Sequence, residues 1–223
     1  MSDFPFAIVG FDLDGTLLDT SGDLAAAVNH ALGLAGRDPL SVAQIRPKIG
    51  GGAKNMLRLA LEDSGGCDEA EFRRLYKELL SFYEAHIAVH SRPFDGMVEA
   101  IQALHQRGVT TAIVTNKFES LGEKLMREMG LRDSFACLIG GDTMGKGLSK
   151  PNAAPIEEMI RRCGGGRAAF VGDSIYDVQA AHNAGIPAMA VSFGFLNGPV
   201  EELGADAVID SYDALIPTLE ALA

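Results

Sequence analysis

After Pro93 the sequence alternates short apolar runs with amphipathic ones, and that alternation leaves few folds open. Thr110–Val114, Ala136–Ile139, Ala168–Val171, Ala188–Val191 and Ala207–Ile209 have the length and apolar content of buried strands. Between them apolar residues recur at helical spacing, as in Val98, Ile101 and Leu104, around Leu121–Met129, in Pro155–Cys163, and in Val178, Ala181 and Ala184. Gly108, Gly130, Gly164 and Gly185 stop these helices, and Ala214–Leu222 forms a closing one. Strands that alternate with helices build a parallel sheet with helices on both faces. Such α/β sheets place their ligand sites beyond the carboxyl ends of the strands.

The N-terminal part obeys a different pattern. Phe6–Phe11 reads as a buried strand that runs directly into Asp12-Leu13-Asp14-Gly15-Thr16. From Thr20 to His90 nothing reads as a strand. Leu24, Ala27, Val28, Ala31 and Leu32 mark one helix, with Ser21 or Asp23 as its expected cap. Val42–Arg46 is a shorter helical piece, and Met56, Leu57, Ala60 and Leu61 mark another helix after Gly50-Gly51-Gly52. Phe72, Leu75, Tyr76, Leu79, Tyr83 and Ile87 are the inward face of a long one. The division expected is a Rossmann-like core of residues 1–19 and 91–223 and an inserted all-helical cap of residues 20–90. Because the insert follows the first strand, it sits over the rim where the strands end. Thr20–Gly22 and His90–Pro93 are its expected hinges.

Composition narrows the partners. The chain has 223 residues, enough for one large domain or a domain with an insert, and a formal net charge of −11. That charge opposes a general nucleic-acid binder, which needs a basic footprint. It also means that any phosphate site must be built from local positive groups. Cys67, Cys137 and Cys163 form no Cys-x-x-Cys pair, so a structural zinc site is not expected. Each reads as a small hydrophobe in a reducing compartment. The start of the chain lacks a basic n-region with a long apolar run, and no apolar stretch is long enough to span a membrane. A cytoplasmic protein, a monomer or homodimer, is the expectation.

Four elements on the presumed rim carry chemistry: Asp12-Leu13-Asp14-Gly15-Thr16, Thr115-Asn116, Lys150-Pro151 and Gly172-Asp173-Ser174-Ile175-Tyr176-Asp177. Taken singly, each has a plainer reading. The first is an acidic surface turn, the second a strand-end turn, the third a solvated loop and the fourth a turn with a helix cap. Taken together at strand ends and helix starts, they suit a phosphomonoester, so the expected partner is a small phosphorylated metabolite. Asp12 can attack phosphorus to give an aspartyl-phosphate. Asp14, two residues on, is placed to protonate the leaving group and then to deprotonate water. Mg²⁺ suits a site of carboxylate and carbonyl oxygens, with Asp173 as a ligand and Asp177 orienting Asp173 or a metal-bound water. Thr115, Asn116 and Lys150 can hold phosphate oxygens as charge builds.

In the insert, Gly50, Gly51 and Gly52 open a helix, where free N–H groups and the helix dipole suit a second small anion. Arg46, Lys48, Lys54 and Arg58 lie close by in the sequence. The plainer reading is a flexible linker with solvated basic side chains. Lys117 is either a substrate contact or a solvated lysine near a helix start. The histidines are expected on surfaces or in cap packing, with His86 and His90 sharing one helix face. Walker loop, Gly-x-Gly-x-x-Gly, His-Glu-x-x-His and Gly-x-Ser-x-Gly motifs are all absent from the sequence.

These four elements resemble the motifs of the haloacid dehalogenase superfamily of phosphohydrolases, in the branch with a helical cap after the first strand. The resemblance spans essentially the whole chain. It implies Asp12 as nucleophile and Asp14 as general acid and base. It implies Asp12, the backbone carbonyl of Asp14 and Asp173 as Mg²⁺ ligands, and Thr115 and Lys150 as phosphate binders. Dehalogenases lack the second acid of the first motif, so Asp14 points to phosphoryl chemistry. Within the branch, Ile49–Ala53, Phe82–His86, Ser91–Gly96 and Val114–Lys117 are similar to phosphoglycolate phosphatases. Two positions depart from them: Lys150-Pro151-Asn152-Ala153-Ala154-Pro155 lacks the repeated prolines of their third motif, and Gly51 stands where many members have Asn. A sugar-phosphate phosphatase or a phosphomutase with the same cap is the alternative, and a non-catalytic binding module a further one.

Overall fold

In a computed structural model, residues 4–222 of the chain are described. The chain opens with β1 (Ile8–Phe11) and β2 (Leu18–Asp19), then runs through α1 (Ser21–Leu34), α2 (Val42–Ile45), α3 (Ala53–Glu62) and α4 (Glu69–Ala85). It returns through β3 (Arg92–Pro93) and α5 (Met97–Gln106) to β4 (Thr110–Val114), α6 (Glu119–Glu128) and β5 (Leu138–Ile139). α7 (Ala154–Arg162), β6 (Ala168–Gly172), α8 (Ile175–Asn183), β7 (Ala188–Val191), β8 (Ala207–Ile209) and α9 (Leu215–Ala221) complete it. No described helix is long and apolar enough to cross a membrane.

Six strands form one sheet in the order β5-β4-β1-β6-β7-β8, all parallel. β1 is central, with Phe11 level with Ile113 of β4 and Val171 of β6. The strand order therefore reverses at β1. Its carboxyl end lies in the crevice between the two halves of the sheet, the position where such sheets bind ligands.

The side chains of β1 alternate between two cores, as the period of a strand requires. Val9 and Phe11 pack with Ile101 and Leu104 of α5 and with Leu215 and Leu219 of α9. Ile8 packs with Ile156 and Met159 of α7 and with Val178 and Ala181 of α8. The sheet is thus covered on both faces, as the near-continuous apolar strands require. Gly10 serves this packing directly: a Cβ there would strike the sulfur of Met159 and the ring of Phe170.

The helices α1–α4 bury Leu24, Val28, Leu57, Phe72, Leu75 and Leu79 in an apolar cluster continuous with the one that holds Val9 and Phe11. The chain enters and leaves this block through adjacent segments. β2 and β3 pair antiparallel, with Leu18 opposite Pro93 and Asp19 opposite Arg92, a ribbon that the sequence pattern did not suggest. Asp23 does not cap α1. Its carboxylate instead crosses to the returning segment and accepts from the backbone N–H of His90 and Ser91 and the Ser91 hydroxyl, at 2.9, 2.9 and 2.7 Å. Ser21 is not the cap either; its N–H and hydroxyl donate to Asp19. Thr20 occupies the N-cap position without capping, because its hydroxyl donates to Asp14. α4 ends at Ala85, where the turn capped by His86 N–H closes it, so His90 does not share a helix face with His86. His86 stacks on Phe82, which stacks on His30.

Candidate active site

The strand ends of β1, β4 and β6 deliver Asp12, Thr115 and Asp173 to one place, all buried. Lys150 reaches them from the loop before α7, where the Lys150–Pro151 peptide is cis. Its ammonium lies 2.7 Å from Asp12 Oδ1, 2.5 Å from Asp177 Oδ1 and 2.7 Å from the carbonyl of Val114. One cation thus spans three elements: the end of β1, the end of β4 and the first turn of α8. All three ammonium donors are satisfied, as a buried charge requires. Burial alone would lower the Lys150 pKa, but Asp12 and Asp177 outweigh it and raise it.

Asp177 has a second attachment. Its Oδ2 accepts from the N–H of Ser174 at 3.0 Å and from the Ser174 hydroxyl at 2.6 Å, closing the start of α8. Asp177 therefore positions Lys150 as well as lying beside Asp173. Gly172 makes room for it, since a Cβ there would overlap the Asp177 carboxylate.

Asp173 accepts the N–H of Phe195 at 2.6 Å through Oδ2, while its buried Oδ1 has no hydrogen-bond partner among the described residues. Burial, with Asp12 and Asp177 nearby, pushes the Asp173 carboxyl well above the usual carboxylate range. Burial likewise pushes Asp12 up to about 7, against the pull of Lys150. The carboxylates of Asp12, Asp173 and Asp177 have oxygens within 4.8 Å of one another. With all three ionised, the carboxylates and one ammonium carry two uncompensated negative charges, which adds to burial in holding Asp12 and Asp173 above their ordinary range without a further cation. An unpartnered carboxylate oxygen, an all-oxygen donor set and that charge fit a hard divalent cation. Glycines crowd the same spot: a Cβ at Gly15 or Gly194 would fall on the Asp173 side chain.

Asp14 is held differently. Its Oδ1 accepts from Thr20 Oγ1 at 2.6 Å and from Lys117 Nζ at 2.8 Å, and Lys117 also lies 2.8 Å from Oδ2. The two acids of the first motif thus have different cations, Lys150 on Asp12 and Lys117 on Asp14. Lys117 Nζ gives its remaining bond to the hydroxyl of Tyr83 on α4, also at 2.8 Å. Burial would lower the Lys117 pKa, but Asp14 and Tyr83 hold it above the ordinary lysine value. Tyr83 was legible in the sequence only as an inward apolar position. Its polar tip, which reaches from the helical block onto the core, was not.

Thr115 Oγ1 accepts the N–H of Lys117 at 3.2 Å. Asn116 turns its amide across the rim and donates to the carbonyls of Gly50 and Lys150, each at 3.2 Å. The Gly50–Gly52 turn thereby closes onto the core. Gly50 and Gly52 take φ of 112° and 82°, a backbone open to glycine at little cost. Gly52 is the N-cap of α3 and offers no side chain, which leaves the first N–H groups of that helix free of a side-chain cap.

Of the four basic residues near this turn, Lys54 alone lines the cavity. Arg46 pairs with Asp19 and donates to the carbonyls of Phe193 and Gly194. Lys48 pairs with Asp63, and Arg58 lies over Phe72 and near Glu69. The cavity holds about 250 Å³. Asp12, Asp14 and Lys117 form its floor, and Met56, Leu79 and Tyr83 belong to its roof.

Known proteins share this arrangement of sequence and fold. Residues 9–191 match the family described as haloacid dehalogenase-like hydrolase. The phosphoglycolate phosphatase of Agrobacterium fabrum is 40% identical over 219 residues, 96% of this chain and 92% of that protein. That of Caulobacter vibrioides is 36% identical over 215 residues, 95% of this chain and 90% of that protein. Among solved structures, a predicted phosphoglycolate phosphatase from Haemophilus somnus superposes with a TM-score of 0.88 at 27% identity, covering 97% of this chain and 99% of that one. A match over most of its length, carried by relatives of this similarity, makes the chain a member of the haloacid dehalogenase-like hydrolases.

Proposed function

We propose that the chain hydrolyses 2-phosphoglycolate to glycolate and inorganic phosphate, with Mg²⁺ as cofactor. The relatives named above carry that activity in their names. The observation that carries the reading onto this chain is the division of labour between its first two acids. Asp12 has one oxygen on Lys150 while the other accepts no hydrogen bond from the described residues, and Asp12 lines the cavity. Asp14 lines the same cavity with its own lysine.

In this reading the free oxygen of Asp12 attacks phosphorus as the bond from phosphorus to the glycolate oxygen breaks. Asp14 gives its proton to the departing alkoxide. Asp14 then takes a proton from water as that water attacks the aspartyl-phosphate, and the carboxylate of Asp12 is restored. The hydroxyl of Thr115 holds a phosphate oxygen, and Lys150 takes another by exchanging its bond to the Val114 carbonyl for it, while its bond to Asp12 keeps the nucleophile aimed and Asp177 keeps Lys150 in place. Asp12, Asp173 and the backbone carbonyl of Asp14 would hold Mg²⁺, whose charge neutralises the phosphate oxygens. Residues 20–90 act as a cap that opens to admit substrate and closes to exclude water, hinged at the β2–β3 ribbon.

The test is phosphate release across a panel of small phosphomonoesters that includes 2-phosphoglycolate, with Mg²⁺ and with EDTA. The expected outcome is a marked preference for 2-phosphoglycolate that EDTA abolishes. Asp12→Asn is expected to lower kcat by at least about a thousandfold, as loss of a nucleophile does. Unchanged Mg²⁺-dependent hydrolysis by Asp12→Asn would refute the mechanism.

A further inference from the structure

We infer that Lys117 and Tyr83 together anchor the carboxylate of the substrate, and that this carboxylate draws the Lys117 ammonium away from Asp14 Oδ2. The inference rests on the reading of 2-phosphoglycolate as substrate and adds how the site recognises its non-phosphate end.

Four observations lead to it. First, Lys117 and Tyr83 line the same cavity as Asp12, so an anion tethered to a phosphate on Asp12 has both within the same enclosure. Second, of the two buried lysines, Lys150 sits on Asp12 and Asp177 at the phosphate end, which leaves Lys117 as the buried cation that faces the remainder of the substrate. Third, the Tyr83 hydroxyl accepts from Lys117, and its own hydrogen has no acceptor among the described residues. An ammonium and a phenol hydrogen side by side make a two-donor fork, the arrangement a carboxylate accepts best. Burial pushes the Tyr83 phenol up to about 12, so it remains a donor at neutral pH. Fourth, Lys117 contacts both oxygens of Asp14, whereas Thr20 secures Oδ1 independently. The lysine can move to another carboxylate without leaving Asp14 adrift.

The exchange has a consequence for catalysis. Before substrate enters, Lys117 occupies both oxygens of the acid that moves the proton. Once the ammonium shifts to the substrate carboxylate, Asp14 Oδ2 is open to the leaving oxygen and to water, while Thr20 still fixes its direction. A phosphomonoester without a carboxylate leaves Lys117 where it is. Discrimination then shows in kcat as well as in KM. The fork also needs the cap closed, because Tyr83 comes from α4 and Lys117 from the loop after β4. Lys117 binds substrate directly, and its action on Asp14 is that of a positioning residue.

The experiment compares 2-phosphoglycolate with ethyl phosphate, which keeps the two-carbon ester and lacks the carboxylate. The quantity read is the ratio of kcat/KM between the two, in the full chain with saturating Mg²⁺. The native protein is expected to favour 2-phosphoglycolate. Tyr83→Phe is expected to lower the ratio about tenfold and Lys117→Met about a hundredfold, the scale of hydrogen bonds to a charged group. The loss should fall on both kcat and KM for 2-phosphoglycolate. Tyr83→Phe keeps the ring packing and guards against a variant that fails to fold. A purely structural role would depress both substrates alike and leave the ratio intact, and a ratio unchanged in both variants overturns the inference alone. A native protein with no preference between the substrates overturns the 2-phosphoglycolate reading and, with it, the anchor.

Discussion

The side-chain amide of Asn116 donates to the carbonyl of Gly50 at 3.2 Å, and this one bond joins the end of a core strand to the glycine turn of the helical block. The same amide nitrogen donates to the carbonyl of Lys150 at 3.2 Å. Asn116 therefore reads the position of the glycine turn relative to the lysine that holds Asp12. We expect Asn116→Ala to favour the open cap by about 1 kcal/mol, the net worth of a single hydrogen bond. The measurable result is a kcat/KM about fivefold lower with the melting temperature little changed. An Asn116→Ala protein with native kinetics would assign the closure to other contacts.

The uncompensated charge around Asp173 makes a prediction about stability. Three buried carboxylates face one buried ammonium. A divalent cation that binds the folded chain and not the unfolded one stabilises it by about 2.7 kcal/mol at a hundred times its Kd. Thermal unfolding should therefore move to higher temperature as Mg²⁺ is added. In Asp173→Asn the rise should disappear, because the unpartnered oxygen that faces the cation is then no longer a carboxylate oxygen. A Mg²⁺-independent melting temperature in the native chain would sink the assignment of this cluster as a cation site.

Gly194 gives a second route to the same site. It lies outside the four sequence motifs, yet a Cβ there would overlap the Asp173 side chain and the carbonyl of Gly15. Gly194→Ala is expected to push Asp173 off the Phe195 N–H that orients it. Loss of such outer contacts weakens metal binding by roughly ten- to a hundredfold. The concentration of Mg²⁺ that gives half-maximal activity should rise by that factor, while kcat at saturating Mg²⁺ stays within about threefold of native. An unchanged Mg²⁺ requirement would mean that Asp173 relaxes around the methyl group at no cost.

Asp12, Asp14 and Asp173 were legible because an α/β chain brings its strand ends to one rim, and those ends are written in the sequence as polar residues after apolar runs, while Lys150 was legible as a Lys-Pro step just before a helix. The partners of those residues were not legible. Thr20 reads in the sequence only as the start of a hinge, and only the packed structure turns its hydroxyl to Asp14. Tyr83 sits on the apolar face of α4 by its spacing, and helical periodicity carries no information about where the phenol oxygen ends. The basic residues around the glycine turn were a sequence cluster, yet Arg46 and Lys48 face acids away from the cavity floor. Cys137 and Cys163 are 26 residues apart in sequence and have sulfurs 3.9 Å apart, a proximity made by the loop before β5 meeting the end of α7. Each of these contacts is set by tertiary closure rather than by local pattern.

Lys150 carries the last and most stringent prediction. It is the ammonium between Asp12 and Asp177, 4% exposed, with a third bond to Val114. Lys150→Met keeps the length and apolar stem but removes the charge. Asp12 and Asp177 then face each other and Asp173 in a buried site with no cation among the described side chains of the cluster. Breaking a buried ion pair by deleting one partner costs about 3 to 5 kcal/mol, because the remaining charge stays desolvated. Equilibrium unfolding in urea with EDTA present should show a loss of that size. The double variant Lys150→Met with Asp177→Leu removes one of the two stranded carboxylates and should recover part of the stability. It should recover no activity, because Lys150 also aims Asp12 and holds phosphate. If Lys150→Met were as stable as native in EDTA, the lysine would not be balancing the carboxylates. If the double variant regained hydrolysis, the proposed role of Lys150 in holding the nucleophile would be wrong.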